Sequence, residues 1–288
     1  MSREIITSRH NALLKHARAV RDRREAGEQI FIEGLRLSED AVRSRLVIQD
    51  ALHTEKLERD ERGARLLQEL RAGGARLSLV SEEALTSISD TRTPQGIVLL
   101  ASRPHAGRDT LLTPSPFQPE QISPRHSPLI VIIHGINNPS NAGAILRTAE
   151  AAGAAGAIST AGTTDLFSPK ALRGAMGSSF RLPLWTGASL AEVVGWCREH
   201  DIRTVGTSLG ATKAHTEMDW TQPCALVVGS EASGLKESEL SLLDEAVRIP
   251  MCAPVESLNA AVACGIILYE AARQRAGVRG WGWEKKEN

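Results

Sequence analysis

The amino-acid sequence predicts an α/β protein of two domains, a smaller α/β unit followed by a larger one built on a mainly parallel sheet. Three observations carry this expectation. The chain has 288 residues, enough for two domains that each bury a core of their own. A seam from Arg103 to Pro128 holds Pro104, Pro114, Pro116, Pro119, Pro124 and Pro128, and prolines at that density interrupt helices and central strands because each removes a backbone donor. On both sides of the seam, strand-like and helix-like patterns alternate, the order that builds layered α/β structure. The boundaries read as one domain over residues 1–105, a proline-rich linker over 106–127 and a second domain over 128–288.

Before the seam, TSRHNALLKHARAVRDRREAG spaces Leu13, Leu14, Ala17 and Val20 at helical intervals, with Thr7 and Ser8 as candidate N-caps. A short apolar stretch at Gln29 to Ile32 follows, then the helical GLRLSEDAVRS and the strand-like RLVIQD. The charged EKLERDERGARLLQELRAGG reads as one helix, and RLSLVS and GIVLLAS read as strands.

After the seam the alternation sharpens. Leu129 to Ile136, LIVIIHGI, is the apolar, β-branched run expected of a strand buried on both faces. A helix over NAGAILRTAEAAG ends near Gly153, followed by a short strand around Gly156 to Ser159. The helix SLAEVVGWCREH leads to strands IRTVGTSL and CALVVGS, the helix KESELSLLDE, the strand AVRIPM and a long helix over SLNAAVACGIILYEAARQRAG. No internal repeat is present.

Composition narrows the class. Hydrophobic residues are 42% and charged residues 24%, values of an ordinary globular protein. Thirty-four basic residues balance thirty-four acidic ones, which excludes a polybasic coat protein and leaves recognition to local patches. One patch lies between Met1 and Arg24, where Arg3, Arg9, Lys15, Arg18, Arg21, Arg23 and Arg24 face only Glu4 and Asp22. It reads equally as a phosphate-contacting surface and as a solvated helix face. Aromatic residues are scarce at 3%, so an RNA contact would rest on charge more than on stacking. Cys197, Cys224, Cys252 and Cys264 are far apart without a C-x-x-C pair, which suggests neither a zinc site nor a disulfide framework. With no long apolar run and no signal-peptide start, a cytoplasmic protein away from membranes is expected.

In an open parallel sheet, ligands collect beyond the C-terminal ends of the strands, and three loops there combine polar side chains with small residues. In the first, Asn137 to Thr148, Asn138 and Asn141 bracket Pro139, and Arg147 follows Asn141 closely enough to share one side of the helix. An arginine there can hold a phosphate bidentately, and an asparagine can fix a loop or a sugar hydroxyl; an N-cap and a surface arginine explain the same residues. The second, Gly229 to Leu235, places Glu231 between two glycines at a strand end, a pattern that suits close backbone approach to a ligand or a plain turn. It is neither a dinucleotide fingerprint nor a P-loop, which weakens the case for another nucleotide-dependent α/β enzyme. The third opens the last helix with Ser257 and Asn259, polar groups that can cap the helix, Ser257 being the candidate cap, or bind a ligand, or both.

Taken together, N-P-S-N-A-G-A-I-L-R-T-A at 138–149, L-V-V-G-S-E-A-S-G-L at 226–235 and I-P-M-C-A-P-V-E-S-L-N-A-A-V-A at 249–263 closely resemble the three signature motifs of the SpoU, or TrmH-like, RNA ribose 2'-O-methyltransferases of the SPOUT superfamily. The resemblance spans Pro128 to about Arg275. Before the seam, ITSRHNALLKHARAVRDRR, IFIEGLRLSEDAV and TPQGIVLLAS resemble the L30e-like substrate-binding domain that many of these enzymes carry. The resemblance implies a C-terminal trefoil knot, S-adenosyl-L-methionine as cofactor, and a homodimer. It implies catalytic roles for Asn141, Arg147, Glu231, Ser257 and Asn259, and cofactor contacts at Leu209, Gly229, Ile249 and Leu258. Asn138 stands where relatives often have Asp, and Ala232-Ser233 replaces a more usual glycine-containing pair.

A ribose hydroxyl is a weak nucleophile, so such an enzyme must align it and help its proton leave; Arg147, which holds RNA phosphate in this expectation, is a poor base in itself. The expected substrate is ribosomal RNA of the large subunit, with transfer RNA as the alternative, and a non-catalytic RNA-binding dimer is the rival class. RNA contact is expected at Arg9, Lys15, Arg18 and Arg23, and no metal is expected. Trp281 and Trp283 in the tail fit either a base stack or a dimer interface.

Overall fold

The computed structural model describes residues 5–23, 28–112 and 127–279. In chain order its elements begin with α1 (Ala12–Arg21), β1 (Gln29–Glu33), α2 (Leu35–Arg43), β2 (Ile48–His53), α3 (Glu55–Arg59), α4 (Glu61–Ala72), β3 (Arg76–Leu79), α5 (Glu82–Thr86) and β4 (Ile97–Ser102). After a 3-10 turn at Arg108–Leu112 come β5 (Leu129–Ile133), α6 (Pro139–Ala151), β6 (Gly156–Thr160), α7 (Pro169–Ala175), α8 (Ser178–Arg181), β7 (Leu184–Ala188) and α9 (Leu190–Glu199). The chain continues through β8 (Arg203–Thr207), β9 (Lys213–Ala214), β10 (Cys224–Val228), α10 (Glu237–Leu240), β11 (Glu245–Arg248) and α11 (Ala260–Arg279). It divides into two compact units, Met1–His105 with Asp165–Arg181, and Ala106–Thr164 with Leu182–Asn288.

The first unit holds a mixed sheet in the order β1-β4-β2-β3. β4 runs antiparallel to both β1 and β2, and β3 runs parallel to β2. Leu14 and Ala17 of α1 close the core over Phe31, Leu52, Val98 and Leu100. Asn11, rather than Thr7 or Ser8, caps α1: its Oδ1 accepts from the Leu13 N–H at 2.9 Å, while the Ser8 hydroxyl accepts from His10 in the preceding turn. The charged stretch read as one helix is two, because Asp60 adopts an extended backbone at the end of α3 and its side chain caps α4 through the Gly63 N–H at 2.8 Å. Buried Glu33 accepts from the Asp90 N–H at 2.8 Å and the Thr91 hydroxyl at 2.6 Å, which anchors that loop.

Asp165–Arg181 lies inside the stretch read from sequence as the second domain, yet it packs with the first unit. Arg103 grips Asp165 through two hydrogen bonds of 3.1 and 2.7 Å, Arg23 adds an ion pair at 3.2 Å, and Arg173 meets Asp90 at 2.6 Å.

In the second unit, among the described residues, a fully parallel sheet runs β7-β6-β5-β10-β8-β11-β9. Leu129–Ile133 is buried throughout, as its apolar run requires. Val193, Val194, Trp196 and Cys197 of α9 pack on one face, joined by Leu111 from the 3-10 turn. The Thr110 hydroxyl also donates to the Leu184 carbonyl at 2.8 Å. The first residues of the expected linker are therefore fixed to this unit, whereas 113–126, Arg3, Arg24, Trp281 and Trp283 lie outside the described residues. β10 enters between β5 and β8 although it follows both in the chain, so the loops leaving β5, β10, β8 and β11 emerge side by side. All four cysteines are free, with Cys197, Cys224 and Cys264 buried and Cys252 exposed. Among the described residues, no helix is long and apolar enough to cross a membrane.

Candidate active site

The loops leaving β8, β10 and β11, with the first turns of α11, enclose a cavity of about 440 Å³. Leu209 closes one side, Gly229 to Leu235 another, and Ile249, Met251, Ser257 and Leu258 a third, with Ala260, Ala263 and Ile267 behind them. All four residues expected to contact cofactor, Leu209, Gly229, Ile249 and Leu258, lie in this wall. The β10 loop is a tight turn in which the Gly234 N–H donates to the Ser230 carbonyl at 2.9 Å. A Cβ on Gly229 would stand 2.5 Å from the Gly234 carbonyl carbon and 2.7 Å from the Leu235 nitrogen. Only glycine lets the turn fold back this closely.

Glu231 joins the cavity to the other two motifs. Its Oε1 accepts from Asn141 Nδ2 at 2.9 Å and from the Asn138 N–H at 3.3 Å, and its Oε2 accepts from the Asn137 N–H at 3.3 Å. Asn141 Oδ1 in turn accepts from Asn259 Nδ2 at 3.1 Å. Asn259 Oδ1 accepts from the Ala261 and Val262 N–H groups at 2.9 and 3.3 Å. One hydrogen-bonded chain therefore links loops ninety and more residues apart in sequence, and it leaves the Asn141 amide a single orientation. Partial burial opposes ionisation of Glu231. The donors from Asn141 and from the backbone outweigh it and hold the carboxyl below its ordinary range.

The helix caps differ from the sequence expectation. Ser257 does not cap α11; that role falls to Asn259, because the helix begins only at Ala260 and Asn259 Oδ1 meets its first N–H groups. Asn138 caps α6 through the Ser140 N–H at 2.9 Å, which frees Asn141 for the junction.

Arg147 and Asn141 do not share one side of α6. Six residues along a helix is about 9 Å of rise and leaves the two side chains about 120° apart. Arg147 is exposed, and among the described residues no partner holds its guanidinium. In the first unit, Lys15 and Arg9 are exposed, Arg18 donates to the Arg9 carbonyl, and Arg23 is paired with Asp165. The donors supplied to Glu231 by the Asn137 and Asn138 peptides escaped the sequence reading, because a backbone N–H leaves no residue signature.

Residues 128–269 match the SpoU rRNA Methylase family, and residues 11–99 match the MRM3-like substrate binding domain. The chain is 33% identical to an uncharacterized tRNA/rRNA methyltransferase of Synechocystis sp. over 94% of each protein. It is 32% identical to the 23S rRNA (guanosine-2'-O-)-methyltransferase RlmB of Haemophilus influenzae, over 76% of this chain and 87% of that one. Among solved structures, the AdoMet-bound rRNA methyltransferase of Sinorhizobium meliloti is similar with a TM-score of 0.80 at 27% identity, covering 94% of this chain and 97% of that one. With its three motif loops hydrogen-bonded together through Asn141, Glu231 and Asn259 and a relative 33% identical over 94% of its length, the chain belongs to the SpoU rRNA methylase family.

Proposed function

We propose that this chain methylates a ribose 2'-hydroxyl of RNA, with S-adenosyl-L-methionine as methyl donor and large-subunit ribosomal RNA as substrate. The observation behind this reading is that Glu231 belongs both to the cavity wall and to the hydrogen-bonded junction of the three motif loops. The cavity, about 440 Å³, falls in the range of roughly 300–1,000 Å³ usual for small-molecule sites. Its apolar walls at Leu209, Ile249, Met251 and Leu258 suit a nucleoside, and the ionised Glu231 at its edge suits a cation. When bound, S-adenosyl-L-methionine supplies a methyl group already activated by its sulfonium.

The protein's part is alignment. Arg147, with its guanidinium uncommitted, holds an RNA phosphate bidentately and places the neighbouring hydroxyl. A guanidinium carries only donors and no acceptor, so it does not take the proton itself; the phosphate it holds is the acceptor in this reading. Asn141 and Ser257 orient the ribose, and Glu231 and Asn259 fix Asn141. In the first unit, Arg9, Lys15, Arg18 and Arg23 contact RNA phosphate in this reading. The reading also includes the trefoil knot, a homodimer and a cytoplasmic location. The dimer is supported by Val262, Ile266 and Tyr269, which expose 51%, 37% and 45% of their surface at one-turn spacing along α11.

The test is calorimetric titration of the full chain with S-adenosyl-L-methionine, followed by methyl transfer to large-subunit ribosomal RNA and to transfer RNA with mapping of 2'-O-methyls. Binding with a single ribose product in ribosomal RNA is expected. Absence of binding would leave a non-catalytic RNA-binding dimer, and product confined to transfer RNA would reassign the substrate.

A further inference from the structure

The apolar run of β5 ends at a polar residue, His134, that none of the proposed chemistry uses. Its backbone N–H donates to the Val228 carbonyl at 2.9 Å, at the point where β10 gives way to the loop Gly229–Leu235. Its ring reaches the far end of the same loop. Nε2 lies 3.2 Å from Glu239 Oε1, and Glu239 Oε2 accepts from the Lys236 N–H at 2.8 Å, directly after Leu235. The ring's other nitrogen, Nδ1, lies 2.9 Å from the buried Thr160 hydroxyl. Thr160 lies 3.5 Å from the Thr163 hydroxyl, which donates to the Ile133 carbonyl and accepts from the Gly135 N–H, each at 3.0 Å. The ring therefore has a partner at each nitrogen, Glu239 at Nε2 and Thr160 at Nδ1.

We propose that His134 is a positioning residue for the cofactor loop, fixing the start of Gly229–Leu235 through its peptide and the end through its ring and Glu239. The assignment of that loop to the cofactor rests on the reading above. The same residue precedes Gly135 and the Asn137 and Asn138 peptides that donate to Glu231. One side chain thus sets the spacing between the carboxylate and its donors. Glu239 stays ionised beside the ring: partial burial works against the charge, and the Lys236 N–H and His134 outweigh it. Leu235 is buried beneath the loop, so the loop's base remains docked when the ring is removed, and its polar rim is the part that loosens.

His134→Ala should raise the dissociation constant for S-adenosyl-L-methionine about tenfold, with kcat at saturating cofactor within about threefold of wild type. His134→Gln, whose amide can still donate toward Glu239, should restore most of the affinity. Adding Glu239→Ala to His134→Ala should cost less than the sum of the two single changes, since they share the ring–carboxylate contact while Glu239 alone also holds the Lys236 N–H. A purely structural role would lower the melting temperature without this split between KM and kcat. Affinity within twofold of wild type in a folded His134→Ala protein would overturn the proposal. Amide hydrogen exchange over Gly229–Lys236, measured without any ligand, separates the two readings. Loss of protection there in His134→Ala is expected whether or not the wild type binds this cofactor, and unchanged protection overturns the positioning role. Should His134→Ala not fold, the same exchange measurement on His134→Asn decides it.

Discussion

Gly229→Ala is the sharpest perturbation of the cavity, because the atoms it would meet are backbone. The added Cβ would lie 2.5 Å from the Gly234 carbonyl carbon and 2.7 Å from its oxygen and from the Leu235 nitrogen. Carbon pairs rest about 3.5–4.0 Å apart, so the turn must open by about 1 Å. Forcing a methyl group into packed structure costs about 1–3 kcal/mol. The cost falls on the loop that lines the cavity, which corresponds to a loss in cofactor affinity of about tenfold to a hundredfold. Gly234→Ala in the same turn provides the contrast. Its φ is +62° and nothing lies within 4 Å of the added Cβ, so it meets only the left-handed backbone penalty of about 1–2 kcal/mol, without a steric push. Calorimetry with S-adenosyl-L-methionine and thermal melting of the two variants test the ranking. Each kcal/mol should lower the melting temperature by about 2–4 °C in a unit of this size. A Gly229→Ala protein that binds within twofold of wild type, or that is less impaired than Gly234→Ala, would refute the close-approach argument.

Arg147→Ala should reduce methyl transfer at least a hundredfold while cofactor affinity stays within a few-fold, and near-normal turnover in a single-turnover assay would remove Arg147 from the chemistry. Asn141→Ala should cut turnover by a similar factor and also lower the melting temperature, since Glu231 and Asn259 both lose a partner. The Glu231 carboxyl is held below its ordinary value of 4.5, so its contribution to the junction is complete above that value and is lost only as pH falls through the lowered one. Cofactor affinity of the wild type should fall on that acid side with a component absent from Glu231→Gln, and identical profiles for the two proteins would contradict the assignment. Burial pushes the Cys197 and Cys264 thiols up to about 12 and raises Cys224 as well. An aromatic disulfide reagent at neutral pH should therefore modify the exposed Cys252 alone in the native protein and all four thiols after denaturation.

What the sequence made legible follows the strength of each local signal. Leu129–Ile133 was readable as a strand buried on both faces because five apolar residues in a row have no other stable use between turn signals. β7, Leu184–Ala188, gave no comparable pattern: it is an edge strand carrying Thr186 and Gly187, with only three of its positions buried. The break at Asp60 was present in the letters, since an aspartate followed by Glu61 is a cap signal, but uninterrupted helix formers around it hid the boundary. The site was legible as three motifs and illegible as a geometry. Spacing alone suggested that Asn141 and Arg147 cooperate along one helix side. The folded chain instead joins Asn141 to Glu231 and Asn259, contacts that depend on β10 inserting between β5 and β8. No local pattern encodes that insertion.

The helices of Asp165–Arg181 bear on how this protein can be taken apart. The chain passes between the two units at 105/106, again at 164/165 and again at 181/182. A single cut in the proline-rich seam therefore yields no intact half. A fragment ending at residue 105 would lose α7 and α8 together with the partners of Arg103 and Asp90, and the remainder would carry those helices without the sheet they cover. Exchanging the substrate-binding module with that of a relative calls for a discontinuous graft with all three junctions matched, so a grafted module brings part of the catalytic-range sequence with it.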